Sequence, residues 1–337
     1  MPTAPTPPNT LVLGSNSFSG QDFIDLLLTD TDHRVIGVSR SPEKSPVFLS
    51  YLQRPQTSQR FAFHQLDLND DFDDLAQLIQ REKPDYIVNF AAQSEVAPSW
   101  LHPEQWAMTN VVAIAKLGNF LRQCDWLKKY VHISSPEAYG TCEGTVAEGH
   151  PDNPSTPYAA SKSAGDQFLA TYVKQYDFPC VTIRATNVYG PHQQLFKIIP
   201  RSAIYLKLGK TIELHGGGHA VKSYIHIRDV SQGELAAMLN GDTGKMYHLS
   251  PTEGVAVRDV VKTICDAAGQ DFDTATKIVD ERPGQDKAYV IDSTKARTQF
   301  GWSPVITLEH GLSEVFEWVD REWHDIQKRP LTYEHKA

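Results

Sequence analysis

Cysteine is scarce in this chain, and its four copies lie far apart. Cys124, Cys142, Cys180 and Cys265 form no C-x-x-C pair. The spacing argues against a thiolate zinc site or a disulfide framework, so no metal is expected, and it fits a reducing cytoplasm. Long apolar runs are missing too. None approaches the roughly 18 residues that a bilayer-spanning helix requires, so no membrane partner is expected. There is no excess of positive charge: 32 Lys and Arg face 41 Asp and Glu, a net charge of -9. That argues against a general nucleic-acid surface and leaves room only for local basic pockets. Residues 1–9, Met-Pro-Thr-Ala-Pro-Thr-Pro-Pro-Asn, have neither a basic start nor an apolar centre. They are read as a disordered, proline-rich tail rather than a signal peptide. No internal repeat is visible.

What is present is an alternation. Apolar strands are expected at 11–13, 35–38, 61–66, 86–90, 130–134 and 180–184, with helices between them at 22–28, 73–81, 103–122 and 158–175. Continuous apolar strands separated by amphipathic helices predict an α/β fold, a Rossmann-type doubly wound parallel sheet. Past Pro191 the pattern loosens and glycines cluster at Gly216, Gly217 and Gly218. A smaller α/β substrate-binding region is expected there. Strand-like stretches at 224–227 and 247–249 predict a return to the sheet. The expected division is therefore interleaved: 10–190 plus about 223–250 for the dinucleotide-binding domain, and about 191–222 plus 251–330 for the substrate-binding region.

The first strand runs into Gly14-Ser15-Asn16-Ser17-Phe18-Ser19-Gly20. A glycine-marked turn between a strand and a helix lets the backbone approach a pyrophosphate and offers it a helix N-terminus. The spacing is G-x-x-S-x-x-G, with Ser17 where a middle glycine is usual. An acidic residue at the end of the second strand would hold the adenosine ribose. This chain has Ser39-Arg40-Ser41 instead. A hydroxyl and a guanidinium suit a 2′-phosphate, which favours NADP; an arginine stacked on adenine would leave NAD in place. Asp67, at the end of the third strand, is positioned to accept from the adenine amino group, or to cap the strand end.

Tyr158 and Lys162 are four apart, so on a helix they share a face. An ammonium beside a phenol favours the phenolate, which can take a proton from a sugar hydroxyl at neutral pH. Ser135 precedes them in a suitable strand-end position. Glu137 stands two residues beyond it, at the carboxyl edge of the sheet, where clefts of this architecture form.

With these residues in place, the chain resembles the extended short-chain dehydrogenase/reductase family. The likeness is to its nucleotide-sugar epimerases and dehydratases, and especially to the NDP-sugar 4,6-dehydratases. It rests on Lys83-Pro84-Asp85, Asn89-Phe90-Ala91-Ala92-Gln93-Ser94, Thr109-Asn110-Val111 and Asn187-Val188-Tyr189-Gly190-Pro191, and on Arg282-Pro283-Gly284-Gln285-Asp286 followed by Phe300-Gly301-Trp302-Ser303-Pro304. The resemblance implies tightly bound NAD or NADP, a nucleoside diphosphate sugar as substrate, and a homodimer built from helices 103–122 and 158–175. It implies a cofactor site containing Gly14, Ser17, Phe18, Gly20, Ser39, Arg40, Asp67, Leu68 and Ala91, together with Tyr158 and Lys162. It places Ser94, Asn187, Lys197, Lys222 and Arg282 against the substrate.

The same resemblance gives Tyr158 the C4 hydroxyl proton, Ser135 a hydrogen bond to that oxygen, and Lys162 the nicotinamide ribose. Glu137 is the expected C5 base for loss of water from C6. Pro136 departs from the pattern, since it stands where some dehydratases carry the acid that protonates the leaving hydroxyl. A C4 or C5 epimerase, a 5,6-dehydratase or a 4-dehydrogenase on the same scaffold stays open, and a non-catalytic binding protein is the third reading. Glu95 replaces a histidine common at its position.

Overall fold

The computed structural model describes residues 6–55, 57–142, 144–281 and 290–336. Its centre is a sheet of seven parallel strands: β1 (Asn9–Leu13), β2 (Arg34–Ser39), β3 (Phe61–Gln65), β4 (Tyr86–Asn89), β5 (Lys129–Ile133), β6 (Cys180–Ala185) and β7 (Met246–Leu249). Their spatial order is β7-β6-β5-β4-β1-β2-β3. Leu11, Val12, Val35, Ile36, Ile87, Val88, Tyr130, Val131, Val181 and Ile183 are fully buried, because helices cover both faces. The expected doubly wound α/β fold is the one found.

On one face lie α1 (Phe18–Asp30) and α6 (Ile227–Asn240), through Phe23, Ile24, Leu27, Val230 and Met238. On the other lie α2 (Phe72–Glu82), a helix spanning 103–121 (α3) and α4 (Pro157–Tyr176), through Leu75, Leu78, Ile114, Leu117 and Leu169. Helix α4 starts where its sequence dictates. Thr156 caps it by accepting from the Ala159 amide at 3.1 Å, and Pro157 fills the first position, where no amide is needed.

A separate core joins α5 (Ile198–Lys207), α7 (Val257–Ala267) and α9 (Leu308–Arg321) around Ile199, Ile204, Val260, Ile264, Leu312, Val315 and Trp318. One stretch assigned by sequence to this smaller region packs elsewhere. Ala296 on α8 (Thr294–Phe300) and Trp302 join the sheet core, Phe300 packs on Tyr247 of β7, and the Trp302 indole donates to the Asp229 carbonyl at 2.8 Å. Aromatic area decides this placement, and its partners on α6 and β7 are distant in sequence.

The helix expected over 103–122 differs in detail. Pro103–Ala107 and Ala113–Leu121 are α-helical, but Met108–Val112 between them is a π-turn. Such wide turns mark positions where a side chain is re-aimed. Here the side chain is Asn110, whose Nδ2 donates to the Gln93 carbonyl and to Ser161 Oγ, both at 2.9 Å. Its Oδ1 accepts from the Gln93 amide at 2.9 Å.

Candidate active site

The strand order reverses between β1 and β4, and a parallel sheet opens a crevice at the carboxyl ends of the strands on either side of such a point. The glycine turn leaves β1 at this point. Gly14 has φ +79°, and a Cβ there would stand 2.7 Å from the Ala91 amide nitrogen beyond β4. A Cβ on Gly20 would stand 2.4 Å from the Gly14 carbonyl oxygen. Both positions therefore exclude any side chain.

Ser17 explains the missing middle glycine. It is the N-cap of α1, and its hydroxyl accepts from the Gly20 amide at 3.0 Å. Phe18, the first residue of α1, is buried beside it. The turn opens into a cleft of about 340 Å³ lined by Gly14, Ser17, Ser39, Arg40, Asp67, Leu68, Ala91, Ser94 and Glu95, and also by Tyr333, Glu334 and Lys336. A side-chain-free turn, a helix N-terminus and a cleft at the switch point together fit a dinucleotide pyrophosphate.

Two of the expected cofactor residues are partly committed elsewhere. The Ser39 hydroxyl accepts from the Asn16 amide at 2.9 Å, which ties β2 to the turn. Asp67 accepts from the Asn69 amide at 2.7 Å and so shapes the loop after β3 while lining the cleft. Arg40 lies at the mouth, its Nη2 donating to the Lys336 carbonyl at 3.0 Å.

The second half of the site lies past β5. Ser135 caps the short 3-10 turn Pro136–Tyr139, accepting from the Glu137 amide at 3.2 Å. Pro136 sits at the first position of that turn, where a fixed φ is an advantage and no amide is needed. The turn presents Glu137 towards Tyr158. Burial, and then the negative charge of Glu137, push the Tyr158 phenol well above its usual range, while its hydrogen bond with Ser135 acts the other way. Helix α4 is anchored here: the Tyr158 amide donates to Ser99 Oγ at 3.2 Å, and Ser161 Oγ donates to the Tyr158 carbonyl at 2.7 Å.

The spacing of Tyr158 and Lys162 predicts a phenol lowered by the ammonium. In the protein alone, Lys162 Nζ is turned to the Ile133 carbonyl at 2.6 Å, and burial outweighs the ammonium at Tyr158. Burial also brings Lys162 itself down to about 8, against the opposing pull of Asp166.

Beneath these residues lies a polar cluster that sequence reasoning missed. Asp166 Oδ2 accepts from Ser134 Oγ at 2.5 Å and from Arg184 Nη2 at 2.7 Å. Arg184 also grips Asp152 with two bonds, at 2.8 and 3.1 Å. Asp166 falls four residues after Lys162, on the same stripe as Tyr158, and that spacing is the signal that marks it in the sequence.

The residues expected at the substrate are only partly gathered. Ser94 lines the cleft. Lys197 Nζ lies 2.7 Å from Glu95 Oε1, so its ammonium has a carboxylate partner reaching across from the β4 side. Asn187 lies in the strand Asn187–Tyr189, and Lys222 in Val221–Lys222, both half-buried. Arg282 lies outside the described residues. Among the described residues no cluster of metal-ligating side chains occurs, and no helix is long and apolar enough to cross a membrane.

The GDP-mannose 4,6 dehydratase family model matches residues 11–315. A trifunctional UDP-glucose 4,6-dehydratase/UDP-4-keto-6-deoxy-D-glucose 3,5-epimerase/UDP-4-keto-L-rhamnose-reductase of Arabidopsis thaliana is 28% identical over 329 residues, 95% of this chain. The chain spans 49% of that protein's length, about half. A dTDP-glucose 4,6-dehydratase of Haemophilus influenzae is 27% identical over 331 residues, 92% of this chain and 97% of that protein. Among solved structures, a dTDP-glucose 4,6-dehydratase of Streptomyces venezuelae with NAD and TYD bound superposes with a TM-score of 0.85 at 28% identity, covering 94% of this chain and 98% of that one.

Proposed function

The chain belongs to the GDP-mannose 4,6-dehydratase family, and from that premise we propose that it is an NAD(P)-dependent nucleotide-sugar 4,6-dehydratase. The carrying observation is Glu137, held by a Ser135-capped turn at the edge of β5 close enough for its charge to act on Tyr158. Tyr158 takes the C4 hydroxyl proton as the phenolate, a form that the positive nicotinamide of a bound oxidised cofactor would favour against the burial that raises its pKa, and Ser135 hydrogen-bonds the same oxygen. Glu137 removes the C5 proton and hands it to the hydroxyl leaving C6, since Pro136 has no acid to offer. Bound in the cleft, the dinucleotide would accept hydride from C4 and return it at C6.

Gly14, Ser17, Gly20, Leu68, Ala91 and Lys162 hold that cofactor in this reading. With Ser39 committed to Asn16, a preference for NADP over NAD rests on Arg40. Asn187, Lys197 and Lys222 face the substrate diphosphate in this reading, and Ser94 the sugar; Arg282, outside the described residues, is assigned to the diphosphate from the family likeness alone. Met108, Val112 and Phe168, exposed on α3 and α4, support a homodimer through these helices. Four free thiols suit the cytoplasm.

The test is incubation of the purified protein with GDP-, UDP-, dTDP- and CDP-sugars, followed by product masses. Loss of one water from one sugar nucleotide establishes the dehydratase and names its substrate. Turnover without a mass change favours the second reading, an epimerase, to which the absence of an acid at Pro136 points.

A further inference from the structure

The dinucleotide cleft carries a strap of its own chain. The segment after Pro330 lies along its mouth and contributes Tyr333, Glu334 and Lys336 to the lining. The Lys336 carbonyl oxygen accepts from Arg40 Nη2 and from Gln93 Nε2, both at 3.0 Å. Its anchors stand on both sides of the cleft. The His335 ring stacks on His102 (centroids 5.2 Å apart, planes 4° apart) and on Trp106 (5.4 Å, 15°), and His335 Nε2 meets Gln105 Oε1 at 2.6 Å. Tyr333 sets its edge against Phe196, which belongs to the smaller region, with centroids 5.3 Å apart. The Tyr333 hydroxyl and His335 Nδ1 are 3.1 Å apart, which holds the two anchors together.

The donors that the strap occupies are telling. Arg40 and Gln93 both line the cleft, and both aim N–H groups at one carbonyl oxygen. A ligand in the adenosine half of this cleft offers acceptors of the same kind: ribose hydroxyls, adenine nitrogens and, in NADP, a 2′-phosphate. One guanidinium N–H cannot serve the peptide carbonyl and such a ligand oxygen at full strength in the same position.

We infer that residues 331–336 are an internal pseudo-ligand that competes with the dinucleotide for Arg40 and Gln93, so that cofactor binding releases the strap. The inference rests on the cofactor reading given above. It makes the strap a brake on loading, held by two aromatic anchors: Tyr333, at the cleft lining, against Phe196, and His335 against His102 and Trp106.

The test is the dissociation constant of NAD+ and of NADP+ for the full chain and for its Tyr333→Ala/His335→Ala variant, by titration calorimetry. Removing the anchors should tighten binding of the preferred dinucleotide about tenfold, the worth of roughly one hydrogen bond to a charged group. Hydrogen exchange of the 331–336 amides should rise on adding that dinucleotide to the unmodified chain. Equal or weaker binding by the variant, or slower exchange on loading, overturns the competition and leaves the cofactor reading intact. Binding of neither dinucleotide by either protein overturns the cofactor reading and the competition with it.

Discussion

Ser134 donates its hydroxyl to Asp166 at 2.5 Å, one residue before Ser135 and one helical turn after Lys162. This contact ties the end of β5 to α4, and so fixes Ser135 relative to Tyr158. The same oxygen, Asp166 Oδ2, is also held by Arg184, whose side chain is 1% exposed. Breaking a buried pair from one side leaves a charge without compensation. Asp166→Asn or Arg184→Met should therefore cost about 3–5 kcal/mol of unfolding free energy, read by denaturant titration. Replacing exposed Lys262, whose partner is Asp266, should cost less than about 1 kcal/mol.

Tyr158→Phe removes the proton acceptor and little else, since the ring and its helix remain. Turnover should fall roughly 10²- to 10⁴-fold while dinucleotide affinity holds within a small factor. A large loss of affinity in that variant would show the hydroxyl to be a binding group.

Glu137→Gln separates dehydration from epimerisation. The amide keeps the shape of the turn and cannot take the C5 proton. A dehydratase should stop with the nicotinamide reduced, visible in its near-ultraviolet absorbance, and release no product lighter by one water. A C4 epimerase, which needs no such base, should continue at close to its original rate.

Acid sensitivity follows from two buried histidines. His248 donates Nδ1–H to the Asp292 carbonyl at 3.0 Å and uses Nε2 towards the Tyr139 hydroxyl at 2.8 Å, an arrangement that suits the neutral ring. Burial holds both His226 and His248 down to about 4. With folded values below the unfolded 6.5, the unfolded chain binds more protons between these limits. The stability is present above pH 6.5 and is lost as pH falls towards 4. For His248 the loss is on the order of 3 kcal/mol. His248→Gln should flatten that part of a stability–pH curve.

Gly14→Ala tests the turn itself. The added methyl meets the Ala91 amide, and the residue is held at φ +79°. A destabilisation of about 1–3 kcal/mol is expected, together with weakened dinucleotide binding measured in the same preparation.

Much of this was legible because it is local. A strand feeding Gly14, with Gly20 six residues on, fixes a turn and the helix after it. Tyr158, Lys162 and Asp166 lie on one stripe because the helix repeat places them there, and only the first two carried a familiar spacing. Ser17 looked like a substitution for glycine and is a helix cap. The features that stayed hidden depend on distant contacts. Glu95 and Lys197 meet across 102 residues of sequence. The π-turn at Met108–Val112 leaves the apolar repeat nearly intact, so periodicity does not reveal it. The strap at 331–336 has no repeat at all; stacking on His102 and Trp106 places it.

The return of the chain to its sheet sets the order in which the protein can be made. Strand β7 pairs with β6, but the smaller region's first elements lie between them. The core under the sheet is closed only when Ala296 and Trp302 arrive. A ribosome that has released the first 190 residues has therefore issued six strands of the sheet with an exposed β6 edge and an unfinished apolar face. One face of the sheet closes within the first 180 residues, whereas the other waits for contacts of high sequence separation with Val230, Tyr247, Ala296 and Trp302. Such long-range contacts slow folding and favour partly folded intermediates, so chaperone protection should be most valuable while residues 190–302 are being synthesised.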